Sequence, residues 1–271
     1  MKIQIIGFGV VGSAQAFLAS ELGHSVYVYD VEKDVKKSGY DYFYLPTPMS
    51  DADITFICVP ETRVEDVVAD LANENASGAI AIKSTVPPKT TETLMEKYKI
   101  HLSHNPEFLR EKYAYQDVLA PSRVIIGACC NYHGEILKNF YKPLQKKFNF
   151  EIYITTPAIS EAVKVVTNNL RATVITFWNE ESEYLSKLGI DIHEVAKLVQ
   201  QGKTIDEWEG GKWGVRFFGL PFGGKCLPKD LNMTISEMRK IGLNPLLFEA
   251  VREYNEKLTS KGRGCFDSPL R

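Results

Sequence analysis

The stretch Gly219-Leu220-Pro221-Phe222-Gly223-Gly224-Lys225-Cys226-Leu227-Pro228-Lys229-Asp230 is the segment of the chain richest in groups that could do chemistry. Glycines ahead of a cysteine make an open backbone loop, and a helix is expected to begin just after it. A thiol near a helix N-terminus, flanked by Lys225 and Lys229, ionises more readily than an ordinary cysteine. A thiolate of that kind attacks a carbonyl and forms a covalent intermediate. The usual reading of a lone cysteine is a small buried apolar residue. That reading suits Cys58, inside an apolar strand, and Cys129 and Cys130. It suits Cys226 badly, because the neighbours are Gly, Lys, Pro and Asp.

Three further groups could serve such a thiol. Lys164 and Asn168 are four residues apart, on one face of a predicted long helix. An ammonium and an amide side by side can hydrogen-bond a developing oxyanion; alone, the pair would read as solvated helix surface. Ser84-Thr85-Val86-Pro87-Pro88 ends a strand at its C-terminal edge, where Thr85 could contact a cofactor, hold a water or cap a helix. Asn105-Pro106-Glu107-Phe108-Leu109-Arg110-Glu111 also follows a strand, and its carboxylates read equally as site groups or as first-turn helix residues.

Gly7-Phe8-Gly9-Val10-Val11-Gly12 is a complete G-x-G-x-x-G that follows a strand and opens a helix. The glycines permit a tight turn and close approach of the backbone to a pyrophosphate, and the helix N-terminus adds N–H groups and the positive end of its dipole. Asp30 ends the next strand, placed to accept hydrogen bonds from the adenosine ribose. A carboxylate there repels the 2′-phosphate of NADP, so NAD is the expected cofactor. A mere packing turn is the competing reading, and the strand–helix context with Asp30 weighs against it.

The elements that must hold these groups follow from periodicity. Strands are expected at 2–6, 25–29, 54–59, 79–83, 123–127 and 152–155, and helices at 10–22, 64–73, 89–98 and 132–147. Alternation of this kind predicts parallel βαβ units. From Ser160 the period changes: Val163, Val166, Leu170, Val174, Phe177, Tyr184 and Leu188 mark one apolar face of a long helix ending near Gly189. Ile175 and Trp178 lie off that face, so the helix needs covering on more than one side, and a homodimer through the helical half is expected. Further helices are expected at 191–200, 230–241 and 245–258. The predicted fold is α/β, a Rossmann-type doubly wound, mostly parallel sheet followed by an all-α domain with a long central helix. Its divisions are 1–156, 157–258 and a loose tail, 259–271.

Composition bounds the function classes. The chain has 271 residues, a formal net charge of −2, 44% apolar and 24% charged residues. That mix is ordinary for a soluble globular protein and offers no global field for nucleic acid or an anionic membrane. No apolar run is long enough to span a bilayer, and the N-terminus opens directly into a strand without signal-peptide features, so a cytoplasmic location is expected. The five cysteines are odd in number, which argues against a disulfide framework. Neither they nor the five histidines show zinc-ligand spacing, so no metal is expected.

Taken together, IIGFGVVG with Asp30, KSTVPP, NPEFLRE, PSRVIIG, SEAVKVVTNNLRATVITFWNE, FGGKCLPKD and PLLFEAVREYNE resemble, in order, the UDP-glucose/GDP-mannose dehydrogenase family. The resemblance covers roughly residues 1–258. It implies a cysteine nucleophile at Cys226, oxyanion contacts from Lys164 and Asn168, a hydrolytic water placed by Asp230 with Thr85, and Glu107 beside the thiohemiacetal. By the same resemblance Phe108, Leu109, Phe217 and Gly223 join Glu107, Lys164 and Asn168 around the sugar. Gly7, Phe8, Gly9, Val10, Val11, Gly12, Asp30, Val59, Thr85, Glu111 and Lys229 belong to the NAD side. The implied reaction is oxidation of a nucleotide-sugar C6 alcohol to a carboxylate with two NAD.

Three departures from the family pattern bear on nucleotide recognition. The chain ends just after the helix that would lead to a third, nucleotide-gripping domain. The family's D-x-R-I-G segment is replaced by Glu209-Gly210-Gly211-Lys212-Trp213-Gly214, where Lys212 lacks the bidentate fork of an arginine. The stretch 39–53 is short. Two other readings compete: a two-electron enzyme resembling β-hydroxyacid dehydrogenases, which needs no cysteine, and a catalytically idle NAD-binding subunit.

Overall fold

The structure, a computed structural model, describes residues 1–31, 41–199, 220–224 and 226–260. Eight strands form one sheet in the order β3-β2-β1-β4-β5-β6-β7-β8. They are β1 (Lys2–Ile6), β2 (Ser25–Tyr29), β3 (Phe43–Tyr44), β4 (Ile54–Ile57), β5 (Ala79–Ile82), β6 (Leu102–His104), β7 (Arg123–Gly127) and β8 (Glu151–Thr155). Neighbours are parallel except β6 and β7, which are antiparallel and share the single register pair His104↔Gly127. The central strands β4 and β5, ITFI and AIAI, are buried along their whole length. Unbroken apolar runs of this kind belong to strands covered on both faces.

The covering helices are α1 (Val10–Glu21), α2 (Glu61–Asn73), α3 (Thr90–Tyr98), α4 (Ala114–Leu119) and α5 (Asn131–Phe148). They divide the core into two layers. Ile3, Ile5, Val26, Val28, Phe56, Phe140 and Leu144 pack in one, and Ile6, Ile57, Val64, Val68, Leu71, Ile82 and Leu94 in the other. These two layers are the physical content of a doubly wound sheet.

A 31-residue helix, α6 (Pro157–Lys187), follows. Pro157 occupies its first position, where the missing N–H costs nothing. Then come α7 (Ile192–Val199), α8 (Leu227–Lys240) and α9 (Leu246–Ser260). Contacts divide the chain into 1–164 and 165–271, with the division inside α6. The second unit has its own core of Ala172, Ile175, Phe222, Leu231, Ile235 and Val251.

β3, with only two residues, lies outside the expectations, and β6, the strand expected ahead of Asn105, is three residues long with Ser103 and His104 fully buried in it. Burial of polar side chains defeats a hydrophobic-pattern reading. On α6, the residues that carry the apolar period are largely outside: Val166, Leu170, Phe177 and Tyr184 are exposed, as is Leu188 just past its end, whereas Ala172, Ile175 and Trp178 are buried.

Candidate active site

The glycine loop joins β1 to α1 at the C-terminal edge of the sheet. Gly7 has φ +88°, and a Cβ there would lie 2.8 Å from the Cys58 carbonyl oxygen. A Cβ on Gly12 would lie 1.9 Å from the Gly7 oxygen. Both positions therefore exclude any side chain. Gly9 differs: it caps α1, and its Cβ would meet nothing within 4 Å. The open space over Gly9, the first N–H groups of α1, which a helix leaves without intrahelical partners, and the exposed Val10 fit a pyrophosphate. Asp30 accepts a 2.5 Å hydrogen bond from the Phe8 N–H, which ties the end of β2 to the loop. Phe8 is braced edge-on by Tyr42 and Tyr44. Val59 follows β4 beside Gly7, and its carbonyl accepts from the Ser84 hydroxyl at 2.5 Å. The Cys58 thiol is pushed up to about 12 by burial, so it stays neutral, as its apolar strand suggests.

Thr85 is half-buried and precedes α3, whose cap is Lys89, so Thr85 does not cap that helix. The Ser84–Thr85 segment is held by a group the sequence reading passed over. His104 lies 2.8 Å from the Ser160 hydroxyl through Nδ1 and 3.3 Å from the Ser84 carbonyl through Nε2. Burial pushes its imidazole down to about 3, so it is neutral. One consistent tautomer has Nε2–H donating to Ser84 and Nδ1 accepting from Ser160.

The loop after β6 carries Glu107 outside any helix. Its carboxylate accepts from the Lys164 ammonium at 3.1 Å and from the Leu109 N–H at 2.8 Å. Both side chains of this ion pair are largely buried, 5% and 14% exposed. The Phe108 ring lies between cations, 5.3 Å from Lys164 Nζ and 4.8 Å from the Arg123 guanidinium. Beneath the loop, the buried Lys83 ammonium and the Tyr141 hydroxyl both donate to Asn105 Oδ1, at 3.0 and 2.6 Å. Lys83, the first residue of KSTVPP, and Tyr141, which stands in no motif, are positioning residues that the sequence reading did not single out. Glu111 is exposed, in the first turn of a short 3-10 helix, Glu111–Tyr113.

In the second unit, Cys226 is the N-cap residue of α8, and its thiol is reduced and exposed. Pro228 stands in the first turn, where a missing N–H is tolerated. The 14-residue helix directs its dipole's positive end at this residue. The preceding loop is fastened at two points. Asn255 of α9 accepts from the Phe222 N–H at 2.7 Å and donates to the Phe222 carbonyl at 2.9 Å, and Asn179 of α6 donates to the Leu220 carbonyl at 2.8 Å. Gly223 is half-buried, and Gly224 turns the chain with φ +73°. One turn into α8, Asp230 is fully buried. It accepts from Asn168 at 2.6 Å, while Lys229 Nζ lies 2.7 Å from its other oxygen. Lys164 and Asn168 are both buried, one turn apart along α6, so the solvated-surface reading of this pair does not hold. Phe217, Lys212 and Lys225 lie outside the described residues.

Residues 43–145 match the NAD binding domain of the UDP-glucose/GDP-mannose dehydrogenase family, and residues 158–257 match its central domain. The UDP-glucose 6-dehydrogenase of Campylobacter jejuni is 30% identical over 94% of this chain and 72% of its own length. That of Bacillus subtilis is 31% identical over 87% of this chain and 61% of its own. The solved structure of a UDP-glucose dehydrogenase from Pyrobaculum islandicum superposes with a TM-score of 0.82 at 26% identity, over 94% of this chain and 68% of that one. NAD is accordingly the cofactor, and the chain belongs to the UDP-glucose/GDP-mannose dehydrogenase family.

Proposed function

We propose that the chain oxidises the C6 alcohol of a nucleotide sugar, UDP-glucose or a close relative, to the carboxylate. The observation that carries this reading is the exposed Cys226 thiol at the N-cap of α8, in a loop pinned by Asn179 and Asn255. A two-electron dehydrogenase has no use for a nucleophile held this way. When bound, NAD supplies the hydride acceptor, and two equivalents balance the four electrons removed from the alcohol.

The residues divide the work. The Cys226 thiolate adds to the C6 aldehyde to give a thiohemiacetal, and the Lys164 ammonium and Asn168 amide stabilise the developing oxyanion. Loss of the second hydride from C6 leaves a thioester on Cys226. Water, positioned by Asp230 with Thr85, cleaves it, releasing the carboxylate and the thiol. Glu107 holds Lys164 in its buried position and can exchange protons with the oxygen on C6. Phe108, Leu109, Phe217 and Gly223 would contact the sugar, and Glu111 and Lys229 the nicotinamide side.

Turnover with a panel of nucleotide sugars and NAD tests this. Two NADH per product, a C6 carboxylate by mass, no acid product from Cys226→Ala and a long-lived adduct or stalled aldehyde with Cys226→Ser are expected. One NADH per product, or full acid production by Cys226→Ala, would replace the covalent route with a two-electron reaction.

The same reading includes a homodimer through the helical half. Exposed Val166, Leu170, Phe177 and Tyr184 recur along α6, with exposed Leu188 just past its end, and form an apolar stripe that a second copy would cover. A monomer by sedimentation at micromolar concentration would contradict it.

A further inference from the structure

At the opposite edge of the sheet, two cysteines and two histidines converge. β1, β4, β5 and β6 run parallel, so their C-terminal ends share the edge of the glycine loop and their N-terminal ends share the other. β7 is antiparallel to β6, and its continuation therefore runs back toward the start of β6. His101 immediately precedes β6. Cys129 and Cys130 follow β7, Cys130 is the N-cap of α5, and His133 lies in its first turn. One ligand atom from each of the four lies within 4.8 Å of all the others.

The spacing of Cys129, Cys130 and His133 is close to three edges of a tetrahedron around an ion, and His101 lies within 4.8 Å of each. Zinc bonds of ~2.3 Å to sulfur and ~2.0 Å to nitrogen imply edges of about 3.8 Å between sulfurs and about 3.5 Å between sulfur and nitrogen. The Cys129 and Cys130 sulfurs are 3.9 Å apart, and they lie 3.1 and 3.5 Å from His133 Nδ1. The His101 and His133 rings are 5.5 Å apart at 64°, as two imidazoles sharing one ion can be. Hydrogen bonding alone accounts poorly for the cluster, because one ring nitrogen carries or accepts one proton while two thiols converge on it. A disulfide is not formed, since its sulfurs would be at ~2.05 Å. Ser103 supports the first ligand, its hydroxyl lying 3.7 Å from the Cys129 sulfur and 3.4 Å from the Cys129 N–H nitrogen. His101 is exposed, and it borders with His133 a cavity of about 300 Å³ that gives an ion a route in.

We propose that His101, Cys129, Cys130 and His133 bind one Zn²⁺ as a structural site. Two thiolates and two neutral imidazoles bring the complex to zero net charge, with two protons released on binding. The ion would clamp the start of β6 to the β7–α5 turn, across the seam where the two strands share only one register pair. The site stands apart from the cofactor edge and does not depend on the reaction proposed above.

Co²⁺ titration of the metal-stripped full chain tests it. One equivalent should give tetrahedral d–d bands with thiolate-to-cobalt charge transfer, displaced by Zn²⁺, and Zn²⁺ should raise the Tm by several degrees without changing NAD affinity. Cys129→Ser/Cys130→Ser should abolish the charge-transfer bands. His101→Ala, an exposed change that leaves the core untouched, should weaken Co²⁺ binding at least tenfold with its circular dichroism unchanged. Cys226→Ser should keep the full spectrum. The proposal is overturned if the chain gives no tetrahedral spectrum, if the bands survive in the double serine variant, if His101→Ala binds Co²⁺ as the parent does, or if Cys226→Ser removes the bands.

Discussion

Glu161 offers a direct test of how α3 is capped within the first unit. α3 begins after Lys89, which has φ 78° and provides no side-chain cap. Its N-terminal donors are satisfied from another element. The fully buried Glu161 carboxylate accepts from the Lys89 N–H at 2.6 Å, the Thr91 N–H at 2.8 Å and the Thr91 hydroxyl at 2.5 Å. In Glu161→Ala, water can reach the exposed Lys89 N–H and the hydroxyl can turn, but the Thr91 N–H is buried and loses its acceptor. A stranded buried donor costs about 1–3 kcal/mol, so a net loss of about 2 kcal/mol is expected. For a chain of this size that is a fall of about 4–8 °C in Tm. Glu161→Gln keeps one acceptor but turns an NH2 toward a donor, and should lose about half as much.

The same carboxyl carries a pH signature. Burial holds it above its usual value of 4.5, against the pull of its three donors and aided by nearby Glu92. A raised folded-state value means that the folded chain binds the proton more tightly than the unfolded chain. The contribution is therefore fully present below about pH 4.5 and is lost as pH rises through the raised value. Glu161→Gln should remove that slope. Thermal unfolding followed by circular dichroism, at neutral pH and through the acid range, reads both effects. A Glu161→Ala variant within a degree of the parent, or a Glu161→Gln variant with an unchanged acid profile, would refute the capping argument.

Gly9→Ala should keep the parent Tm yet lose NAD affinity, because its methyl enters only the open space above the loop, while Gly12→Ala should lose both, since its Cβ would strike the Gly7 carbonyl; equal NAD binding by Gly9→Ala in a calorimetric titration would displace the pyrophosphate from this loop. Asp30→Ala should narrow the preference for NAD over NADP, and a parent chain that binds NADP as tightly as NAD would remove the ribose role of Asp30 altogether. His104, pushed down to about 3 from 6.5, gives the opposite slope to Glu161: the unfolded chain binds the proton first, so stability falls as pH drops below about 6.5, by up to ~1.4 kcal/mol per pH unit. His104→Gln should flatten this limb in urea unfolding, and an unflattened limb would show that His104 does not carry it.

What the sequence disclosed and what it withheld divide along a physical line. The glycine loop, Asp30 and the cysteine segment are legible because each is a contiguous stretch whose backbone geometry and chemistry are written side by side. The central strands are legible for a similar reason, since burial on both faces leaves an unbroken apolar run. α6 shows where periodicity stops short. Val166, Leu170 and Phe177 keep a helical period as cleanly as a core face does, yet they are exposed, and Ile175 with Trp178 packs inward instead. Period alone does not say whether an apolar face is covered by its own chain.

The unreadable features share another property: each is assembled from elements far apart in sequence, and usually around buried polar atoms. Glu161 caps α3 from 70 residues away, and Lys83, Asn105 and Tyr141 meet from three separate segments. His101 and Cys129 are brought together by a single topological event, the reversal of β7 against β6. Had β7 joined in parallel, its C-terminal turn would lie at the cofactor edge and the two cysteines would be far from His101. The reversal gives the sheet two chemically distinct edges, one with glycines and helix N–H groups suited to an anion and the other with soft sulfur and imidazole donors suited to a cation. Spacing rules for metal ligands assume a compact loop, and they do not register a cluster that the sheet closes through space.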